Sequence, residues 1–343
     1  MAMIDTLQAI TYTVARTRNP NVWMDADVVF RKLGKPTIEA GYDIHVPIKV
    51  FQHPVETYLG LTPAVLDTTD FQRAFHYPWR LVRAPMVYDG YSILQNSGNK
   101  NSIVKLVTSI LENSEDALTN KMVVMFFGAQ SDVANTVTPA AAGTEFNSFQ
   151  HLANANADGV HGSTLVLSTA SSVVVGGLSK TTFPRISGYT SDFGGATHGP
   201  HYNNLSNLLA LLLDGARQPD IYAGYPNTVL TFSKTQQGNQ RWINDANLTA
   251  GFEAYSLFGK PFYAQRHVPY SAATPASNRI LAIDTKAIQC YIHRDRNFIV
   301  EPFVKLQGQD GWASYRLVAG NFTSDDPQRL GIGHNFDPND ITD

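Results

Sequence analysis

The chain has 343 residues, a formal net charge of −3 and one cysteine, Cys290. Charged residues make up 16% of it, against about 25% in an average soluble domain, so neutral polar and aromatic groups must cover much of its surface. This composition argues against a chain-wide positive field for nucleic acid and against an intrachain disulfide framework. No run of about 18 apolar residues occurs, so we expect no transmembrane helix.

Residues 1–35 form a segment with a slight basic bias. A short helical pattern is followed by the turn signal Asn19-Pro20-Asn21. The segment lacks a long apolar core, so we expect no secretory signal peptide. The single cysteine fits a protein made in a reducing cytoplasm. Two interpretations of this segment remain at this point: an N-terminal arm, or an ordinary helix packed on the core. The basic residues are Arg16, Arg18, Arg31, Lys32 and Lys35.

An alternating pattern of apolar and polar residues runs from Tyr42 to Val50 and again from Phe75 to Leu81, as in half-buried strands. Each run contains a proline, which is tolerated at sheet edges or bulges. About twenty residues separate the runs, which is long for a loop in a compact domain. We predict a projecting hairpin, and since an isolated hairpin is marginal in water, a neighbouring subunit would cover its apolar face. The predicted contact residues are Tyr42, Ile44, Phe75, Tyr77, Trp79 and Leu81.

Residues 102–127 show the clearest helical pattern, with apolar residues at i, i+3, i+4 and i+7. Gly128 can end this helix, which would be a rod of roughly 38 Å. We assign Glu112, Glu115 and Asp116 to its solvated face.

The remaining chain predicts shorter elements. Residues 129–202 are rich in small and polar residues, which favours loops and short strands, and residues 205–213 predict a helix. Buried strands are expected at 259–263 and 280–283, followed by a long antiparallel pair around 288–292 and 312–319. Asp310-Gly311 is a hairpin signal before the last strand. Cys290 alternates with isoleucines and is expected to be buried.

Four local segments, in this order, resemble the major capsid proteins of tailed bacteriophages (the Hong Kong 97-type family). The first is Val175–Thr182, with its Gly-Gly, apolar, Ser-Lys-Thr sequence. The second is Asp214–Ile221, where a helix is followed by Pro-Asp and a strand. The third, Leu257–Phe262, is similar to the segment before the closing strands, and the fourth, Asn297–Phe322, resembles the closing strand pair itself. Together with the hairpin and long helix, the resemblance covers residues 43–335.

The resemblance implies an α+β fold with an N-terminal arm, an extended β-hairpin loop, a domain with a long spine helix, and a second, loop-rich α/β domain. The implied boundaries are 1–35 for the arm, 36–90 for the hairpin, 91–175 for the peripheral domain with spine helix 102–127, 176–285 for the axial domain, and 286–343 for return strands and tail.

The implied function is a non-catalytic shell subunit of the virion capsid, assembled in the host cytoplasm. Its partners would be further copies of itself in pentamers and hexamers, scaffold, portal and decoration proteins, and double-stranded DNA held by non-specific contacts. The basic residues of 16–35 would line the inner surface. No membrane partner and no cofactor is expected.

Two other functions stay open. One is an encapsulin-like nanocompartment shell that encloses a protein cargo. The other is a loop-sited metal hydrolase that uses Asp192, His198 and His201, although the Gly-Pro between the histidines favours an ordinary polar loop. Histidines 45, 53 and 76 fall on or beside the hairpin and are assigned to its surface or to a subunit interface. We expect no catalytic or metal site, because no nucleophile elbow or phosphate-binding loop occurs.

Overall fold

The computed structural model describes residues 27–39, 41–50, 55, 57, 72–92, 100–128, 145–153, 174–175, 177–179, 183, 186, 188–195, 199–213, 218–235, 255–271 and 278–339. The helices are α1 Val28–Lys32, α2 Lys100–Phe127, α3 Phe149–Ala153, α4 Tyr202–Leu212 and α5 Pro226–Thr235. None of these described helices combines the length and apolarity needed to cross a bilayer.

Sixteen strands are found among the described residues. They are β1 Thr37–Ile38, β2 Asp43–Lys49, β3 Gln72–Pro78, β4 Arg80–Asp89, β5 Val174–Val175, β6 Leu178–Ser179, β7 Tyr189–Gly195, β8 Ile221–Gly224, β9 Tyr255–Leu257, β10 Lys260–Ala264, β11 Arg279–Ile283, β12 Ile288–His293, β13 Ile299–Val300, β14 Val304–Lys305, β15 Gly311–Ser324 and β16 Gly331–Phe336. The predicted hairpin, spine helix and closing strands are therefore confirmed.

The first sheet has six strands and is built around β15. This long strand pairs with β4 along ten residue pairs, and also with β12, β13 and β14, while β1 adds in parallel to β12. The turn that precedes β15 is closed by a hydrogen bond from the Leu306 amide to the Gly311 carbonyl. Gly308, and not Gly311, has the left-handed backbone of this turn, with φ of 75°.

The second sheet also has six strands, in the order β7-β16-β11-β8-β10-β9. Its central strands are buried on both faces, which explains why Arg279–Ile283 and Ile221–Gly224 have no polar alternation. Ile280, Ala282 and Tyr222 face α4 and α5, whereas Leu281 and Ile283 face the main core. The sheet is thus sandwiched inside the chain.

The last strand belongs to the second sheet. Segment 286–343 is predicted to contain strands that return to the peripheral domain and a C-terminal tail, and β12 and β15 lie in the first sheet. β16, for which the sequence predicted no strand, lies in the second sheet, antiparallel to β11 and parallel to β7. The chain therefore crosses from the first sheet to the second between β15 and β16.

Aromatic packing at the end of the spine helix α2 joins several parts of the main core. The Phe126 ring is fully buried and lies edge-on to Phe30 of α1 at 5.2 Å and to Phe322 of β15 at 5.0 Å. Asp27 caps α1 by accepting from the amides of Val29, at 2.8 Å, and Phe30. Residues 28–32 are therefore a helix packed on the core.

The segments behind the family resemblance have distinct places in the fold. Residues 255–264 form the hairpin of β9 and β10, and 297–322 contain β13, β14 and most of β15, with which both of these short strands pair. Residues 180–182 and 214–217 lie outside the described residues, as do Arg16, Arg18, His53 and His198.

Candidate functional site

The predicted hairpin is a two-stranded antiparallel sheet in which Asp43 pairs with Pro78 and Lys49 with Gln72. Its inner face belongs to this chain's own core: Ile44, Phe75 and Tyr77 are at most 1% exposed. The Tyr77 hydroxyl also donates a hydrogen bond of 3.4 Å to the Ser324 carbonyl of β15. The expectation that these three side chains contact a neighbouring subunit is therefore wrong, because the chain itself covers them.

The other three predicted contact residues lie nearer the surface. Tyr42 is 94% exposed and Leu81 is 63% exposed. Trp79 is half-buried, and its indole nitrogen donates to the Gly41 carbonyl at 2.9 Å while its ring lies 5.2 Å from that of His293. Tyr42 and Leu81 thus remain available for a subunit contact, and that role stays a prediction.

A strip of exposed apolar side chains crosses the outer face of the first sheet. Strand register places Val87 beside Ala313, which also pairs with Val304, and it places Tyr315 beside Pro85. We call this set the outer strip; its exposed members are Leu81, Val87, Ile299, Val304 and Tyr315, which are 38–66% exposed. Periodicity predicted only Leu81 of these. The others were missed, because alternation within a strand does not give the register of β4, β13 and β14 on β15.

The inner face of the same sheet is closed by the spine helix α2. Met86 and Tyr88 of β4 pack against Val107 and Leu111 of α2. Burial raises the pKa of Tyr88 to about 12. The inner face of the first sheet is therefore covered by the chain's own spine helix, whereas the outer strip on the opposite face is exposed.

A buried ion pair fixes β15 to the spine helix. An Arg316 guanidinium nitrogen lies 2.9 Å from a Glu115 carboxylate oxygen, and the same nitrogen donates to the Leu111 carbonyl at 3.1 Å. Glu112 and Asp116 are exposed as predicted, but the assignment of Glu115 to the solvated face is wrong. Its partner comes from a strand far along the sequence, so helical periodicity alone could not identify it.

The second sheet contains a buried cluster of charged and polar groups. His334 is 2% exposed and Arg279 is 5% exposed, and these residues are directly paired between β16 and β11. Burial, followed by the nearby Arg279 charge, lowers the pKa of His334 to about 4, against a smaller opposing effect of Asp192. Burial likewise lowers the pKa of Arg279 to about 10. His334 is therefore neutral in the folded chain near neutral pH.

Two of the three residues proposed for a metal hydrolase, Asp192 and His201, lie in the described part of the chain, and both make hydrogen bonds to neighbouring groups of the fold. The Asp192 carboxylate accepts hydrogen bonds from the Gly194 amide at 2.9 Å and the Asn335 side chain at 2.7 Å. His201 is buried at the start of α4, where its ring nitrogen accepts from the Gly199 amide at 3.2 Å. Cys290 is fully buried as predicted, and burial raises the pKa of its thiol to about 12, so the thiolate nucleophile is disfavoured.

One group of possible metal ligands occurs among the described residues, and it lies on the outer face of the hairpin. It comprises Asp43, His45 and His76, whose ligand atoms all lie within 4.8 Å of one another. Sequence reasoning placed both histidines on the surface but missed this grouping, because it depends on the register between β2 and β3.

Comparison with known proteins identifies the fold. No protein-family model matches the chain, and no curated protein is significantly similar to it in sequence. A chain of the capsid of Cyanophage A-1(L) matches with a TM-score of 0.63 and 14% identity, over 90% of this chain and 92% of that one. A capsid chain of an empty GTA particle gives 0.55 and 11%, over 93% and 91%. The SrpI encapsulin of Synechococcus elongatus gives 0.53 and 13%, over 96% and 91%. The predicted fold class is thereby confirmed: the chain has the α+β, Hong Kong 97-like fold of phage major capsid proteins.

Proposed function

We propose that the chain is the major capsid protein of a tailed bacteriophage and assembles with copies of itself into a closed shell around double-stranded DNA. The observation that carries the proposal is the match to the cyanophage capsid chain, which extends over about nine-tenths of both chains. A fold shared over nine-tenths of both chains supports the same kind of assembly for this chain.

The outer strip supports self-association independently of that match. Val87 and Val304 are 56% and 66% exposed, and both lie beside Ala313 of β15. Exposed apolar side chains that lie side by side in this way are typical of a protein contact. The low share of charged residues in the chain, 16%, is also typical of interface cores. The partner we assign to this surface is a second copy of the chain.

The basic residues near the start of the chain support a weak, sequence-independent contact with DNA. Arg31 and Lys32 are exposed in the last turn of α1, and Lys35 is half-buried beyond it. A net charge of −3 disfavours tight binding of duplex DNA by a free subunit, because affinity rests mainly on phosphate neutralisation. In a shell, many copies of this segment on the inner surface would act together.

An encapsulin-like shell is the second candidate, and the match to the SrpI encapsulin over 96% of this chain favours it. Both candidates predict a closed shell, but the contents differ. A capsid encloses nucleic acid, whereas a compartment of this type would enclose a protein.

Electron microscopy and sedimentation of the full-length purified chain test the proposal. Closed particles, with a length of double-stranded DNA protected from nuclease when produced in an infected cell, are the expected result. Particles that retain a protein cargo and no DNA would favour the compartment. A chain that stays monomeric at about 50 μM, with or without a scaffold protein, would contradict both. In a particle map, residues 27–35 on the outer surface would contradict the inner position of the basic segment.

A further inference from the structure

We infer that Asp43, His45 and His76 form a binding site for one divalent cation of the zinc class, which links the two strands of the hairpin. The ligand atoms of these three side chains all lie within 4.8 Å of one another. In a tetrahedral zinc site with bonds of about 2.0–2.1 Å, neighbouring ligand atoms are about 3.3 Å apart. Rotation of the two exposed histidine side chains and of the half-buried Asp43 carboxylate is enough to close this difference.

The backbone of the hairpin holds the three residues in one row. His45 and His76 are direct partners in the β2–β3 register, and their ring centroids lie 4.3 Å apart. Asp43 is two residues from His45, so its side chain leaves the same face of β2. The three ligands therefore converge without any change of strand pairing.

The opposite face of the hairpin makes this arrangement rigid. Ile44 and Tyr77, which adjoin the histidines in sequence, are each 1% exposed within the main core. Their burial fixes the pleat, while His45 and His76 remain exposed and Asp43 half-buried. The site thus has an ordered backbone and an open approach for an ion.

The donor set selects the kind of cation. Two imidazoles and one carboxylate suit zinc and its neighbours in the transition series, whereas calcium and magnesium prefer oxygen ligands. Three protein ligands leave a fourth tetrahedral position open to water. The ion would join β2 to β3, which pair only with each other among the described strands. An ion that binds only the folded hairpin stabilises the folded chain.

Calorimetric titration of the full-length chain with zinc chloride, after removal of metals with a chelator, tests this site. We expect one ion per chain. His45→Gln and His76→Gln should each weaken binding by at least the factor of about 10–100 that loss of a supporting outer residue typically causes. Cobalt(II) provides a second probe, since its visible absorption spectrum reports nitrogen ligation and should be lost in the same two variants.

Two control variants separate this site from general binding to surface groups. Lys49→Gln changes the same face of β2 without removing a ligand, and His293→Gln removes a histidine outside the hairpin, on β12 of the first sheet. Both should bind zinc as the unchanged chain does, and circular dichroism should show all variants folded. Absence of zinc binding, or equal binding by His45→Gln, His76→Gln and the controls, would overturn the site. The measurement uses unassembled subunits, so its outcome is independent of shell formation.

Discussion

The two large sheets of this molecule are alike in strand number and unlike in how they are covered. The second sheet places Ile280 and Ala282 against α4 and α5 and Leu281 and Ile283 in the main core, so both faces are buried within one chain. The first sheet packs one face on the spine helix α2 and leaves the outer strip exposed on the other. The second sheet is therefore stable without a partner chain, whereas the first sheet gains stability when a further chain covers its outer face.

The largest change in subunit stability is expected on the covered side of the first sheet. Glu115→Ala leaves the buried Arg316 charge without its carboxylate, and loss of one member of a buried ion pair typically costs about 3–5 kcal/mol. Urea unfolding of the purified subunit measures this change. Asp116→Ala, at the exposed neighbouring position, is the control and should stay within about 0.5 kcal/mol. Equal effects of the two variants would show that the ion pair does not stabilise the sheet.

A cavity in the second sheet should have a comparable but somewhat smaller effect. Leu281 is fully buried at the centre of β11, and a buried Leu→Ala change typically costs about 2–5 kcal/mol. We expect Leu281→Ala to lower the denaturation midpoint of the free subunit, even where no assembly occurs. Leu230→Ala, at a half-exposed position of α5, is the control. A small effect of Leu281→Ala would mean that the second sheet is not sandwiched as described.

The buried His334 predicts a loss of stability in acid. The unfolded chain binds a proton near pH 6.5, whereas folded His334 does so only near pH 4, so unfolding is favoured as the pH falls between these values. From pH 7 to pH 5 the contribution is about 2 kcal/mol. Urea unfolding of the unchanged chain and of His334→Asn at both pH values measures it. The variant should show the smaller loss, and equal losses would contradict the assignment.

The smallest effect on subunit stability, and the largest on assembly, is expected in the outer strip. Val87→Thr and Val304→Thr keep the branched shape and strand preference but add a hydroxyl to the exposed apolar face. The free energy of unfolding should change by less than about 0.5 kcal/mol, while the yield of particles falls. Leu230→Gln, an exposed apolar position outside the strip, should assemble normally. Normal particle yield from the threonine variants would exclude the strip as a subunit contact.

Local periodicity predicted the hairpin strands, the spine helix and the closing strands, but it did not predict what these elements pack against. Alternation from Tyr42 to Val50 predicted β2, and the i, i+3, i+4 spacing predicted α2, because both patterns follow directly from backbone geometry. Alternation shows that one face of a strand is apolar, but it does not show whether that face meets its own chain or another. The residues Ile44, Phe75 and Tyr77 were misassigned for this reason.

The misassignment of Glu115 and the missed grouping of His45 with His76 have the same cause, which is that each depends on a partner distant in the sequence. Glu115 was assigned to solvent because the partner that neutralises it, Arg316, lies in a strand far along the chain. The grouping of His45 with His76 depends on the pairing of β2 with β3, and register is set by the folded sheet. Neither arrangement is encoded in a window of a few residues.

The central position of β15 constrains the order in which the chain can fold during synthesis. Position 85 of β4 pairs with position 315 of β15, so the ribosome must make most of the chain before β4 gains its partner. Contacts between distant segments form slowly, and strands that wait for a partner are prone to aggregate. We therefore expect ribosome-bound chains that end before residue 311 to remain open to protease between residues 80 and 89. Full-length chains released from the ribosome should become resistant there, because β15 is then free to pair with β4. The first sheet would therefore be completed only after synthesis of the subunit has ended.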